Sequence, residues 1–288
     1  EQEGPEQEGP EQEGPEQEPP EADARARAVE ASTDDPDLVL AVDDAGAPEV
    51  FHSLQGEGPF AGRPSVFVRL SRCNLHCSWC DTPYTWNWVG TDFPHDEATK
   101  YERTLEQVRV GVAALARRLE AFTTRALVLT GGEPLLQAAR LTALLERLGS
   151  GEANHPGGGW TVDFETNGTV RPTSALDRRA SAYVVSPKLG NSGMPARLRL
   201  RDAALGFFAD SPKAFFKYVV ATRRDLDEVL EQVERFGLCR DRVFLMPLGA
   251  TADELDRHHR QVAEWALAEG LRFSDRLHLR LYGTARGT

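Results

Sequence analysis

Short β-branched or aromatic runs recur along the chain: SVFVRLS (65–71), ALVLT (126–130), TVDFE (161–165), AYVVS (182–186), AFFKYVV (214–220), RVFLM (242–246) and LHLRL (277–281). Several are apolar at almost every position, as strands covered on both faces must be. Helical patterns lie between them. TLEQVRVGVAALARRLEAF opens on Thr104 with Gln107 three residues on, a capping-box spacing. Its Leu105, Val108, Val112, Leu115 and Leu119 step by three and four, which predicts one helix with one buried face. TRRDLDEVLEQVERFG repeats the device with Thr222 and Asp225 and ends at Gly237. TADELDRHHRQVAEWALAEG does so with Thr251 and Glu254 and ends at Gly270. PLLQAARLTALLERLG begins on Pro134, a residue tolerated in a first helical turn.

Strands alternating with helices predict βα units and a largely parallel sheet. Six or seven strands are too few for a closed eight-stranded barrel. The expected fold is therefore α/β, an incomplete (open) parallel β/α barrel of about six strands. In such folds chemistry gathers at the carboxyl ends of the strands. The polar motifs obey that rule: Cys73 follows 65–71, TGGEP (130–134) ends the second strand, ETNGT (165–169) the third, SPK (186–188) the fourth and MPLG (246–249) the sixth. No long internal repeat is visible in this part.

Composition sharpens the domain picture. Residues 1–50 hold 17 acids (11 Glu, 6 Asp) against 2 Arg, a net of −15; with −12 for the whole chain, residues 51–288 carry +3. The first twenty residues repeat EQEGP, with no apolar side chain to bury. Residues 1–45 are thus expected to be a disordered acidic low-complexity tail, and 46–288 the partial-barrel domain. The near-neutral body argues against nucleic-acid binding. The absence of any run of ~18 apolar residues and of a signal-peptide pattern argues against a membrane partner. Four cysteines, three of them clustered, fit a metal site in a reducing cytoplasm better than a disulfide framework.

The cluster is CNLHCSWC, with Cys73, Cys77 and Cys80 in C-x3-C-x2-C spacing. Thiolates suit zinc or iron–sulfur clusters. A closed zinc site needs a fourth ligand. His76 directly precedes Cys77 and is poorly placed to complete the tetrahedron; Cys239, just past a helix end, is expected to be an ordinary buried thiol. Three thiolates on a four-iron cluster would instead leave one iron open to a small chelating molecule. That spacing after a first strand, with GGEP after the second, resembles the radical S-adenosylmethionine superfamily. FHSLQGEGPFAGRPSVFVRLSRCNLHCSWCDTPYTW (51–86), together with TGGEPLLQ, ETNGT, SPK, MPLG and the terminal LYGTARGT, resembles the 7-carboxy-7-deazaguanine synthase family over about 49–288.

The resemblance implies a lyase that converts 6-carboxy-5,6,7,8-tetrahydropterin to 7-carboxy-7-deazaguanine with loss of ammonia, in 7-deazapurine (queuosine-type) biosynthesis. Cys73, Cys77 and Cys80 would hold a 4Fe-4S cluster. S-adenosyl-L-methionine would be held by Trp79 beside the adenine and by Gly132 and Glu133 at the methionyl amine. Glu165 would meet its ribose, with Ser186, Pro187, Lys188, Met246, Pro247, Leu248 and Gly249 completing its site. MPLG is less polar than the matching stretch of many relatives. Leu54, Gln55, Gly56 and Glu57 would read the pterin edge, with Thr130 beside them. Arg69, buried in the strand before the thiols, needs an anion, and the substrate carboxylate is the natural one. Magnesium, which prefers hard oxygen ligands, would sit at Thr82, with Asp81 as an alternative outer group. Arg286 or the Thr288 carboxylate would reach the substrate.

The resemblance also implies a homodimer and an external one-electron donor, flavodoxin-like or ferredoxin-like. Two other readings stand beside it: an activase that makes a glycyl radical on another protein, and a zinc-stabilised binding module. Neither requires LQGEG or CDTPYTW. His52, His95, His258 and His259 are expected on the surface or on helix faces.

Overall fold

The computed structural model describes residues 36–149 and 159–288. Its strands and helices, in chain order, are β1 (Asp37–Ala41), β2 (Val50–Leu54), β3 (Pro64–Leu70), α1 (Arg103–Glu106), β4 (Gln107–Gly111), α2 (Val112–Glu120), β5 (Ala126–Gly131), α3 (Ala138–Arg147), β6 (Thr161–Thr166), α4 (Ser174–Arg179), β7 (Ala182–Val185), α5 (Ala196–Arg199), α6 (Asp202–Asp210), β8 (Ala214–Val220), α7 (Arg223–Phe236), β9 (Val243–Pro247), α8 (Ala252–Glu269), β10 (Arg272–Phe273) and α9 (Leu277–Tyr282).

The sheet runs β10-β9-β8-β7-β6-β5-β3-β1-β4, with β2 also paired to β3. From β3 to β10 all neighbours are parallel; β1, β2 and β4 extend the other side antiparallel. The two ends do not pair, so this is an open partial barrel, as the strand count predicts. The six expected parallel strands are β3 and β5–β9. Val184, Val185, Leu127, Leu129 and Leu245 are buried because helices cover one face and the concave face encloses the site.

Four expectations are corrected. The helix expected from Thr104 is broken into α1, β4 and α2. Val108 and Val110 are β-branched and pair with Leu40 and Leu38, while Arg109 between them is exposed. Leu105 is 70% exposed, and the helical stripe holds only from Val112 through Leu115 and Leu119. LHLRL is the helix α9, not a strand; only Leu279 of its three leucines is buried, so period-two alternation has no sheet face to serve. The expected tail boundary at residue 45 falls too late, because β1 already lies in the sheet; the part of the tail up to residue 35 lies outside the described residues. Cys239 is exposed rather than buried.

The cap on α7 behaves as read, and that on α8 does so in part. Thr222 and Asp225 exchange both bonds of the capping box, and Gly237 closes α7 in the left-handed conformation. On α8, Thr251 caps the Glu254 amide and Gly270 closes the helix, but the Glu254 carboxylate accepts from Ala250 instead of completing the box.

Candidate active site

The thiol loop springs from the end of β3. Arg72, the only non-glycine described residue with positive φ (80°), turns the chain, and its amide bonds the Thr85 carbonyl at 2.9 Å. The loop curls so that Cys73, Cys77 and Cys80, all unpaired, face one cavity. Their sulfurs sit among donors. Cys73 Sγ accepts from the Leu75 amide (3.5 Å) and Asn167 Nδ2 (3.8 Å). Cys80 Sγ accepts from Trp86 Nε1 (3.3 Å), with Thr82 Oγ1 at 3.6 Å. Burial pushes all three thiols up, Cys77 to about 12 despite the nearby Lys188. Buried thiols of this kind lose their protons readily only to a metal centre.

The glycine pair packs against this loop. Gly131 has φ +120°, and a Cβ there would land on the Leu70 backbone; one on Gly132 would land on the Arg72 carbonyl. Gly132 donates to the Leu70 carbonyl and Glu133 to the Arg72 carbonyl, both at 2.9 Å. The glycines thus let the end of β5 press directly on the thiol loop. Glu133 is fully buried. Its carboxylate accepts from the Leu135 amide (3.0 Å), Thr166 Oγ1 (2.9 Å) and the Asn167 amide (2.8 Å), tying β5 to the end of β6. Burial raises it to about 7, and those donors limit the rise.

All the expected site residues line the same cavity except Glu133, Pro187 and Arg286. Lys188 donates to Ser186 Oγ (2.9 Å) and lies 5.6 Å from the Trp79 ring centroid, while Trp79 Nε1 bonds the Asn191 carbonyl at 3.1 Å. Glu165, expected at a ribose, instead joins the residues expected at the pterin. It accepts from Gln55 Nε2 (2.9 Å) and Thr130 Oγ1 (2.7 Å). Arg69 already has an anion: its Nε bonds Glu49 at 2.7 Å, and the buried Glu49 is also held by the Tyr84 hydroxyl at 3.2 Å.

Three ionisable lining residues escaped the sequence reading: Lys217 on β8, Arg276, and His278 on α9. Lys217 Nζ pairs with one oxygen of Glu57, and Arg276 Nε bonds the other at 2.8 Å. Arg276 also donates to the Gly249 carbonyl (2.8 Å) and to Asp81. One guanidinium therefore joins the LQGEG turn, the thiol loop and the MPLG segment. His278 Nε2 lies 3.9 Å from Glu57, and its ring packs so closely on Gly56 that a Cβ there would strike it. Burial alone would raise Glu57, but Lys217, Arg276 and His278 hold it well below the usual carboxylate range. Lys217 was legible only as one polar residue in AFFKYVV; a cation inside a strand otherwise apolar was the available signal.

Arg286 does not line this cavity. Its guanidinium lies 3.6 Å over the Tyr84 ring and bonds Glu106 (2.7 Å), pinning the C-terminal segment so that Thr288 reaches the cavity. Of the two possible fourth ligands, His76 stacks on Phe93 (centroids 3.5 Å apart), outside the cavity. Among the described residues no group of three or more His, Cys, Asp or Glu converges tightly enough to hold one metal ion.

Residues 68–188 match the radical SAM superfamily. Together with the open parallel barrel and the three cysteines facing its concave side, the match defines a radical S-adenosylmethionine enzyme, a class that works with a 4Fe-4S cluster and S-adenosylmethionine. The 7-carboxy-7-deazaguanine synthase of Pyrobaculum aerophilum is 38% identical over 244 residues, covering 83% of this chain and 95% of that one. The synthase of Hyperthermus butylicus is 38% identical over 241 residues (80% and 90%), and that of Rhodopirellula baltica 34% over 253 (83% and 87%). The crystal structure of QueE from Escherichia coli superposes with a TM-score of 0.57 at 26% identity, over 84% of this chain and 95% of that one. The chain belongs to the 7-carboxy-7-deazaguanine synthase family. Among the described residues, no helix is long and apolar enough to cross a membrane.

Proposed function

We propose that this protein converts 6-carboxy-5,6,7,8-tetrahydropterin to 7-carboxy-7-deazaguanine with release of ammonia. One observation carries the reading: the three-cysteine loop and the acceptor set Gln55, Glu57 and Glu165 line a single cavity. When bound, the cluster and S-adenosylmethionine supply the one-electron chemistry that generates a hydrogen-abstracting radical. The residues do the rest. Cys73, Cys77 and Cys80 hold the cluster, and their burial and sulfur-directed N–H groups suit a metal-bound thiolate. Trp79, Gly132, Ser186, Lys188 and the Met246–Gly249 wall hold S-adenosylmethionine.

Glu57 and Glu165, bridged by Gln55, accept from the donor-rich edge of the pterin. Glu165 is assigned here to substrate because Gln55 and Thr130 are its partners. Arg69 keeps its remaining donors for the substrate carboxylate while Glu49 fixes its Nε. Glu133 acts as a strut between β5 and β6. We place magnesium at Thr82 with the substrate carboxylate and waters completing its shell; Asp81 is engaged by Arg276 instead. The catalytic domain begins at β1, and the working form is a homodimer in the cytoplasm supplied by an external one-electron donor.

The test is product analysis after anaerobic incubation of the reconstituted protein with reductant, S-adenosylmethionine, magnesium and the carboxylated pterin. A deazapurine carboxylate and one equivalent of ammonia are expected. Release of 5′-deoxyadenosine with the pterin unchanged would overturn the substrate assignment. A colourless protein with one zinc would overturn the enzyme reading.

A further inference from the structure

Four arginines lie on or next to the elements that flank the start of the thiol loop. Arg72 immediately precedes Cys73, so their Cα atoms are about 3.8 Å apart. Arg109 on β4 pairs with Val39 on β1. The Gln137 side chain bonds both the amide and the carbonyl of Val39 (2.8 Å each) and the Ser71 carbonyl (3.2 Å), which brings the turn after GGEP to the same place. Arg140 follows one turn later, and Arg103 starts α1 just before β4. Arg103, Arg109 and Arg140 are exposed, and none of the four is in an ion pair with another described residue. Arg72 Nε is buried without a hydrogen-bond partner among the described residues. Leu136, between Gln137 and the glycine pair, is 44% exposed.

These arginines make no ion pair among the described residues, lie beside an exposed leucine and do not line the cavity. The cavity mouth serves small molecules. A protein that delivers an electron must come from outside, and this side reaches Cys73 through one peptide unit. We infer that Arg72, Arg103, Arg109, Arg140 and Leu136 form the docking surface for an acidic one-electron carrier protein, a low-potential flavin or iron–sulfur carrier. The inference rests on the radical reaction assigned above. In the step, the reduced carrier loses one electron and the cluster gains it; no bond is made or broken. Positive charge steers an acidic partner and raises its association rate, while an arginine-ringed apolar side chain is a usual contact residue.

The test uses the full-length, cluster-loaded chain and a triple variant, R103E/R109E/R140E, with R103Q/R109Q/R140Q as the milder form. Binding of a purified flavodoxin, and in a second arm a bacterial ferredoxin, is measured by titration. Turnover is measured with each reduced carrier and with dithionite. The charge-reversed chain is expected to bind its carrier roughly tenfold or more weakly and to lose carrier-driven turnover in proportion, with dithionite-driven turnover unchanged. Carrier affinity of the unmodified chain should also fall as salt rises. Equal carrier affinity in parent and variant, or salt-independent affinity, overturns the inference. So does a variant that loses affinity for transfer RNA and keeps it for the carrier, which would make the patch a nucleic-acid surface. Absence of dithionite-driven turnover in the parent counts against the assigned reaction, while the carrier affinities still decide the docking surface.

Discussion

On the thiol side of the cavity, glycine and backbone set the geometry. Gly131 and Gly132 let β5 lie on the Leu70 and Arg72 carbonyls, and Glu133 fastens the end of β6 with two of its three bonds. On the opposite side the geometry is set by buried charge. Lys217, Glu57 and Arg276 alternate in sign, Arg276 also bonds the exposed Asp81 at the end of the thiol loop, and the pairs join residues 160, 219 and 195 positions apart. The first wall is a property of short motifs; the second exists only once the barrel has folded. A cofactor common to a whole superfamily needs the first kind of wall, and a particular flat, polar substrate needs the second.

The largest effect should come from breaking the charged wall at its centre. Arg276 makes bonds to three segments, and Arg276→Met removes them while leaving Glu57 held by Lys217, with only His278 nearby. Loss of one partner from a buried pair typically costs about 3–5 kcal/mol. Chemical denaturation should show a loss of that order. Pterin KM should rise far more than the affinity for S-adenosylmethionine falls, and added guanidinium should restore part of the pterin affinity to an Arg276→Ala chain. Equal loss of both ligands would mean that the two walls are one unit.

Breaking the backbone wall should come next. Gly131→Ala introduces a methyl group against the Leu70 backbone at a φ of +120°, so strain and overpacking combine to about 3 kcal/mol. Iron bound per chain after reconstitution should drop with it, while pterin binding to the iron-free protein should change little. A chain that keeps its full iron content would show that the thiol loop tolerates displacement.

These cases also show what could be read before folding. The six parallel strands, the caps on α7 and α8 and the thiol, glycine and LQGEG motifs were legible because each is written within a few residues. Lys217 and Arg276 were not, since a lone cation in an apolar run acquires meaning only from a carboxylate far away in sequence. Residues 104–122 were misread for a related reason. The three-and-four spacing from Leu105 to Leu119 fits a helix, yet Val108 and Val110 find a partner strand in β1, which lay in the part set aside as tail. LHLRL alternates like a strand, but it lies beyond the short edge strand β10, where the Arg276 anchor and the Gly56 carbonyl start a helix.

A smaller effect should appear in the pH dependence. Burial raises Glu133 to about 7 from an ordinary 4.5. The folded chain then holds this proton more tightly than the unfolded one, so the contribution is full below about pH 4.5 and is lost as pH rises through about 7. In the iron-free protein, stability should fall by up to about 3 kcal/mol across that window relative to Glu133→Gln, measured by denaturation at several pH values. A parallel pH profile in the two chains would mean that Glu133 is solvated before the cluster binds. Pterin affinity, which belongs to the other wall, should not follow the slope.

The smallest expected effect separates both walls from the scaffold. The Thr222 hydroxyl and Asp225 carboxylate close the first turn of α7, and Asp225 also accepts from the Ala221 amide at 3.0 Å. Thr222→Ala removes one acceptor from a helix start and should cost about 1 kcal/mol. The motif is as local as the thiol loop, so if local sequence signals mattered to the site merely by being local, this change would lower iron loading as Gly131→Ala does. It should not: α7 lies on the outside of β8, and its cap touches neither Lys217 nor the cysteines. Unfolding midpoints should drop slightly while iron content and pterin KM stay at their original values. A fall in either would place the cap on the path that aligns β8, and with it Lys217, against Glu57.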